Sequence, residues 1–278
     1  MAEPQGNREH KDRLFLKVFE DKEALLSLYN AVNGSDYENP EELEITTLDN
    51  VLYMRMKNDL SFLIDGSLNF YEHQSTFNPN MPLRGCFYMV KVYQEYVERR
   101  QLDIYSSTRL TLPTPRFIVF YNGTDRMKHM PELTLKLSDS FEKQEEEPAL
   151  ECKARVININ YGFNTEIMEK CPKLYEYSFL ISKIREGTAQ GKKLEAAIGA
   201  AIDICIEEGI LTDLLTSYRM EVIGMLLTEY DEERHLKNTY EEGVKKGQKK
   251  GESIGEFRQL YKLIQKNFLT LHDAASAN

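Results

Sequence analysis

Asn58-Asp59-Leu60-Ser61-Phe62-Leu63-Ile64-Asp65-Gly66-Ser67-Leu68-Asn69-Phe70-Tyr71-Glu72-His73-Gln74-Ser75 is the stretch whose reading decides the fold. Two β-rich runs flank Asp65-Gly66, a dipeptide favoured where a tight hairpin turn needs positive φ. With these two residues as the loop, Ile64 pairs with Ser67, and counting back sets Asp59 opposite Glu72. Side chains alternate along a strand, so Glu72 and Gln74 share one face and His73 takes the other. Directly opposed residues share a face with their Cβ atoms about 5 Å apart. The hairpin therefore gathers two carboxylates and a carboxamide on one side, and a slip of one residue would dissolve the group. Asp65, the competing carboxylate, is assigned to the turn, where Asp-Gly has a backbone reason to stand.

Two carboxylates this close repel and raise each other's pKa unless a cation lies between them. Mg²⁺ is the natural occupant because it takes hard oxygen ligands, commonly one or two carboxylates plus water and phosphate. Asp59 and Glu72 are thus the candidate metal ligands, with Mn²⁺ the expected substitute. Such an ion lowers the pKa of an attacking water and stabilises charge developing on a phosphodiester. The Gln74 amide can hold that water or bridge to a phosphate oxygen, but it cannot act as a general base. His73, on the wrong face, reads as a structural, hydrogen-bonded histidine. Asp12 and Lys17 on the first helix are within reach of the site, against the alternative of a helix-start charge and a surface lysine. Arg84, in the first turn of the helix after the hairpin, suits a phosphate contact, against the alternative of a plain surface arginine.

Outward from the hairpin, residues 1–11 are polar and read as a flexible N-terminus. Asp12 to Asn33 reads as one amphipathic helix and Ile45 to Met56 as a lead-in or edge strand. Pro79 to Arg100 reads as a helix with Leu83, Cys86, Phe87, Val90, Tyr93 and Val97 as its apolar stripe. Arg116 to Tyr121 is nearly all apolar and ends at Asn122-Gly123, as expected of a central strand buried on both faces. Ala154 to Tyr161 is a further strand. Helices are expected over Lys173 to Arg185, Lys192 to Glu208 and Leu211 to Glu233. Strands and helices alternate to about residue 185 and the strands then cease, giving an α/β domain followed by a helical extension.

The 278 residues carry a net charge of −10, with 41% hydrophobic and 29% charged residues. That balance is globular and argues against tight, indiscriminate nucleic-acid binding. Basic contacts need only rim a metal centre. The four cysteines, Cys86, Cys152, Cys171 and Cys205, are scattered without a C-x-x-C pair and read as free thiols. No run is apolar enough to span a bilayer, and Met1 to Gly6 lacks the regions of a secretory signal, so no membrane association and a cytoplasmic location are expected.

Asp59, a hairpin and Glu72-x-Gln74 together resemble the PD-(D/E)XK nuclease superfamily, with glutamine in the lysine position. Within it the chain most resembles the bacterial recombination-promoting nuclease and putative transposase family. The resemblance draws on Asp12-Arg13-Leu14-Phe15-Leu16-Lys17, Glu72-His73-Gln74-Ser75-Thr76, Met81-Pro82-Leu83-Arg84, Val119-Phe120-Tyr121-Asn122-Gly123 and the region of Glu242-Gly243. It spans roughly residues 10 to 255. It implies a restriction-endonuclease-like α/β/α core with a mixed sheet over residues 12–185. It also implies Mg²⁺-dependent DNA endonuclease activity that promotes recombination, with Asp59 and Glu72 as metal ligands and Gln74 completing the site. The competing expectation is a nuclease fold kept as a DNA- or protein-binding scaffold.

After the helical extension (186–235) comes a tail (236–278) in which Gly243, Gly247, Gly251 and Gly255 recur every four residues among Lys245, Lys246, Lys249 and Lys250. On a helix such glycines form a line along which another helix can pack. Each costs about 1 kcal/mol of helix stability relative to alanine. The tail reads either as an arm for self-association, with DNA contact through its lysines, or as a linker to a short helix over Phe257 to Phe268.

Overall fold

The computed structural model describes the backbone of residues 14–46, 59–124 and 126–265. Asp12, residues 1–11 and residues 47–56 of the expected lead-in strand lie outside these. The hairpin is formed by β2 (Asp59–Ile64) and β3 (Ser67–Gln74). At the turn, Asp65 has φ 45° and Gly66 φ 65°, the double left-handed loop whose twist matches that of the flanking strands. The register runs from Ile64 opposite Ser67 to Asp59 opposite Glu72, as the turn chemistry predicts.

A two-residue strand, β1 (Glu44–Ile45), lies antiparallel along β2. On its other side β3 runs parallel to β4 (Thr114–Tyr121), and β4 runs parallel to β6 (Lys153–Asn158). An antiparallel strand, β5 (Glu132–Lys136), closes the far edge, for the order β1-β2-β3-β4-β6-β5. The fold is α/β, with a six-stranded mixed, open sheet. The central strand expected at Arg116 to Tyr121 is β4, buried from Phe117 onward. The edge strand β5 was not expected, although Glu132-Leu133-Thr134-Leu135-Lys136 alternates with period two.

Helices cover both faces. On one, Phe62, Ile64, Tyr71, Ile118, Phe120 and Ile157 join a cluster with α1 (Leu14–Val18), α2 (Lys22–Asn33) and α5 (Pro172–Ala189). On the other, Leu68, Phe70, Phe117 and Val119 pack against Met81, Tyr88 and Val92 of α3 (Met81–Arg99). The single helix expected over Asp12 to Asn33 is broken at Phe19-Glu20-Asp21. Asp21 is extended (φ −83°, ψ 147°) and its carboxylate accepts from the Ala24 N–H at 2.8 Å, an N-cap that starts a new helix.

The stripe expected on α3 is corrected too. Leu83, Phe87 and Val90 are exposed, and the buried side is Met81, Pro82, Gly85, Cys86, Tyr88 and Val92. Gly85 decides this rotation. A Cβ there would collide with the Phe117 ring, so only glycine lets the helix seat on β4 along this line.

Past residue 185, α6 (Leu194–Glu207) and α7 (Thr212–Ser217) contribute Ile198, Ile202, Cys205 and Leu215 to the cluster that covers the first sheet face. The short helix α4 (Thr165–Lys170), unforeseen in the sequence, precedes α5. By packing the chain divides into two compact units, Met1–Tyr230 and Asp231–Asn278. The helix expected over Leu211 to Glu233 is interrupted at Tyr218, after which α8 is continuous over Arg219–Gln265. In the second unit the four spaced glycines are therefore helical, with nothing within 4 Å of where their Cβ atoms would stand. Residues 266–268 of the expected terminal helix are outside the described residues. Among the described residues no helix is long and apolar enough to cross a membrane.

Candidate functional site

Glu72 and Gln74 project from the C-terminal end of β3 on the face that meets α3. Glu72 is 4% exposed and Gln74 8%. Burying a carboxylate is costly unless it is paired and hydrogen-bonded. Glu72 meets that demand twice at Oε1, accepting from Gln74 Nε2 at 2.9 Å and facing the Arg84 guanidinium at 2.9 Å. Gln74 Nε2 also approaches Met81 Sδ at 2.8 Å, and Arg84 Nη1 lies 3.6 Å from the same sulfur. Four side chains from the end of β3 and the first turn of α3 thus form one interacting group.

Asp59 stands across the hairpin from Glu72 by register, and its side chain lies outside what the structure describes. Among the described residues no group of three or more His, Cys, Asp or Glu could hold a metal ion. Arg84 is not the bare surface arginine of the alternative reading, since its charge is spent on Glu72. Lys17 is engaged elsewhere. Its ammonium pairs with Glu20 at 2.7 Å, which raises its pKa, and lies 5.0 Å from the centre of the Tyr218 ring.

His73 takes the opposite face, as alternation requires. It is 3% exposed, stacks on Phe15 at 4.8 Å and 14° between planes, and shares a 3.0 Å hydrogen bond between Nε2 and the Tyr177 hydroxyl. The Asn122 amide donates to the same hydroxyl at 3.1 Å. The Asn122 N–H donates to the Gln74 carbonyl at 3.0 Å, tying the ends of β3 and β4 together. Arg185 of α5 donates to the Asn122 carbonyl and, at 2.5 Å, to Asn160 Oδ1. Asn160 donates in turn to Asn158 Oδ1 at 2.8 Å.

This polar network lies where the three parallel strands end, the place where open α/β sheets usually bind ligands. Sequence reasoning did not single out Tyr177, Asn122, Arg185, Asn158 or Asn160. Asn122 read only as a strand stop, and Asn158 and Asn160 fell inside the strand expected over Ala154 to Tyr161.

No family model, curated protein or solved structure matches the chain.

Proposed function

We propose that the chain is a divalent-metal-dependent DNA endonuclease that hydrolyses phosphodiester bonds, built on a restriction-endonuclease-like core and serving DNA recombination. The reading is carried by one relationship: Asp59 is in register with Glu72, whose carboxylate is hydrogen-bonded by Gln74 on the same strand face. The donor set suits the expected ion. Hard oxygens would come from Asp59, Glu72 and the Gln74 amide, and among the described residues His73 faces the other way, which fits Mg²⁺ or Mn²⁺ better than zinc. Asp59 and Glu72 would hold it. A divalent ion bound there supplies charge neutralisation at the phosphate and a water of lowered pKa.

The protein's own contributions follow from the contacts. Burial fixes Glu72, so its carboxylate needs no reordering when a ligand arrives. Gln74 Nε2 donates to Glu72, which leaves its amide oxygen as the atom suited to accepting from a water. The tie from the Asn122 N–H to the Gln74 carbonyl holds the backbone that carries both residues. Arg84, paired with Glu72, brings a permanent positive charge to the rim. A cytoplasmic location and self-association through the helical tail accompany this reading.

Purified protein is expected to nick supercoiled plasmid in Mg²⁺ or Mn²⁺ and not in chelator. Asp59→Ala is expected to abolish nicking with an unchanged melting temperature. Unchanged nicking by that variant would sink the assignment.

The Arg84–Glu72 ion pair favours a second reading. A carboxylate already neutralised by arginine has no electrostatic need of a metal, as in a nuclease fold retained as a DNA- or protein-binding scaffold. Calorimetric titration with Mn²⁺ separates the two, because a scaffold takes up no ion at Asp59 and Glu72.

A further inference from the structure

We propose that Arg84 is a substrate-released latch on the cation site. It holds Glu72 while no nucleic acid is bound and transfers to a backbone phosphate of DNA when one arrives. Phosphate and divalent cation then bind cooperatively. The inference rests on the nuclease reading above and adds how metal binding is regulated at that same site.

A guanidinium 2.9 Å from Glu72 Oε1 and a divalent cation on the same carboxylate repel each other and compete for the same oxygens. Burial decides which partner moves. The Glu72 side chain is 6% exposed on a central strand, whereas that of Arg84 is 32% exposed on a long, flexible stem. Among the described residues little holds the Arg84 side chain besides Glu72. Its other described contact is to the Met81 thioether at 3.6 Å, a weak acceptor. A phosphate offers the guanidinium two oxygens in the fork geometry it matches best.

The pairing also suits the burial of Glu72: a carboxylate this enclosed needs a cationic partner, and Arg84 supplies one. No acidic side chain stands in the first turn of α3, so a phosphate reaching Arg84 there meets no anion from that turn. Coupling of this kind is reciprocal: DNA tightens the cation by the same factor as the cation tightens DNA.

The test is Mn²⁺ binding, read from loss of the free-ion EPR signal, with and without a short DNA duplex. Each titration is repeated on Glu72→Gln to subtract ions held by the DNA. Wild-type protein is expected to bind Mn²⁺ about tenfold tighter with duplex, within the ordinary range of coupling between ligands. Arg84→Gln, checked for folding by its thermal melt, is expected to bind Mn²⁺ tightly without DNA and to lose most of that coupling. Site-specific Mn²⁺ binding that is equal in wild type and Arg84→Gln, with the same response to duplex, overturns the latch and leaves the nuclease reading standing. If Arg84→Gln does not fold, equal wild-type affinity with and without duplex overturns it just as well. No Glu72-dependent Mn²⁺ binding in either condition overturns the nuclease reading itself, and the latch with it.

Discussion

The Glu72 carboxylate and the Arg84 guanidinium lie 2.9 Å apart, joining the end of the central strand β3 to the first turn of the helix that follows it. The pair locates the candidate site and ties it to the start of α3. Removing the acidic partner leaves the arginine and the Gln74 amide without their shared acceptor. Glu72→Ala is therefore expected to cost about 2 kcal/mol, less than a fully buried pair because Arg84 still reaches water. Glu72→Gln, which keeps an acceptor oxygen, is expected to cost less. Urea unfolding of wild type and both variants measures the difference, and stability equal to wild type in both would show that the pair contributes nothing to the fold.

Gly66 holds φ 65°, and a Cβ there would meet nothing within 4 Å. Its substitution is a backbone matter alone. Gly66→Ala is expected to lower stability by about 1 kcal/mol, the usual penalty of placing alanine in the left-handed region. A thermal melt unchanged from wild type would contradict the left-handed turn.

Gly85→Ala has the opposite cause and opposing terms. Helix propensity would improve by about 1 kcal/mol, but the new methyl collides with the Phe117 ring. Overpacking of that kind typically costs about 1–3 kcal/mol. Phe117 is 5% exposed between α3 and the sheet and has little room to yield. A net loss of about 1 kcal/mol is expected by urea denaturation, and a stabilised variant would show that α3 can slide on β4.

Tyr37 donates to Asp65 Oδ2 at 2.6 Å, and that hydrogen bond pushes its pKa up to about 12 from an ordinary value of 10. A group raised in the folded state stabilises below its unfolded pKa and loses that contribution as pH climbs to the folded one. The contribution of Tyr37 is thus whole below pH 10 and declines between pH 10 and about 12. Tyr37→Phe is expected to flatten the alkaline fall in stability, measured by urea unfolding across that range. An identical pH profile in the variant would remove Tyr37 as a source of the fall.

The hairpin could be read from the sequence because its determinants are local. Asp65-Gly66 selects the turn, the turn sets the register, and period two sends Glu72 and Gln74 one way and His73 the other. The central strand β4 was legible for a similar reason, as a short apolar run with a clear stop. Local signals were less decisive where two readings shared one pattern. The apolar residues from Leu14 to Leu28 fit one helix, yet the capping carboxylate of Asp21 makes two.

What the sequence by itself determined is therefore the α/β class, the hairpin and the shared face of its polar residues, all consequences of backbone geometry over a few residues. Tertiary structure alone decided what those residues touch. Arg84 reaches Glu72 only because α3 is rotated to seat Gly85 on Phe117, and no periodicity within α3 specifies that angle. His73 meets Tyr177 across a separation of 104 residues, a pairing set by how α5 packs on the sheet. Strand alternation fixes the direction of a side chain, whereas its partner is fixed by close packing between elements, which the sequence expresses only through the whole fold.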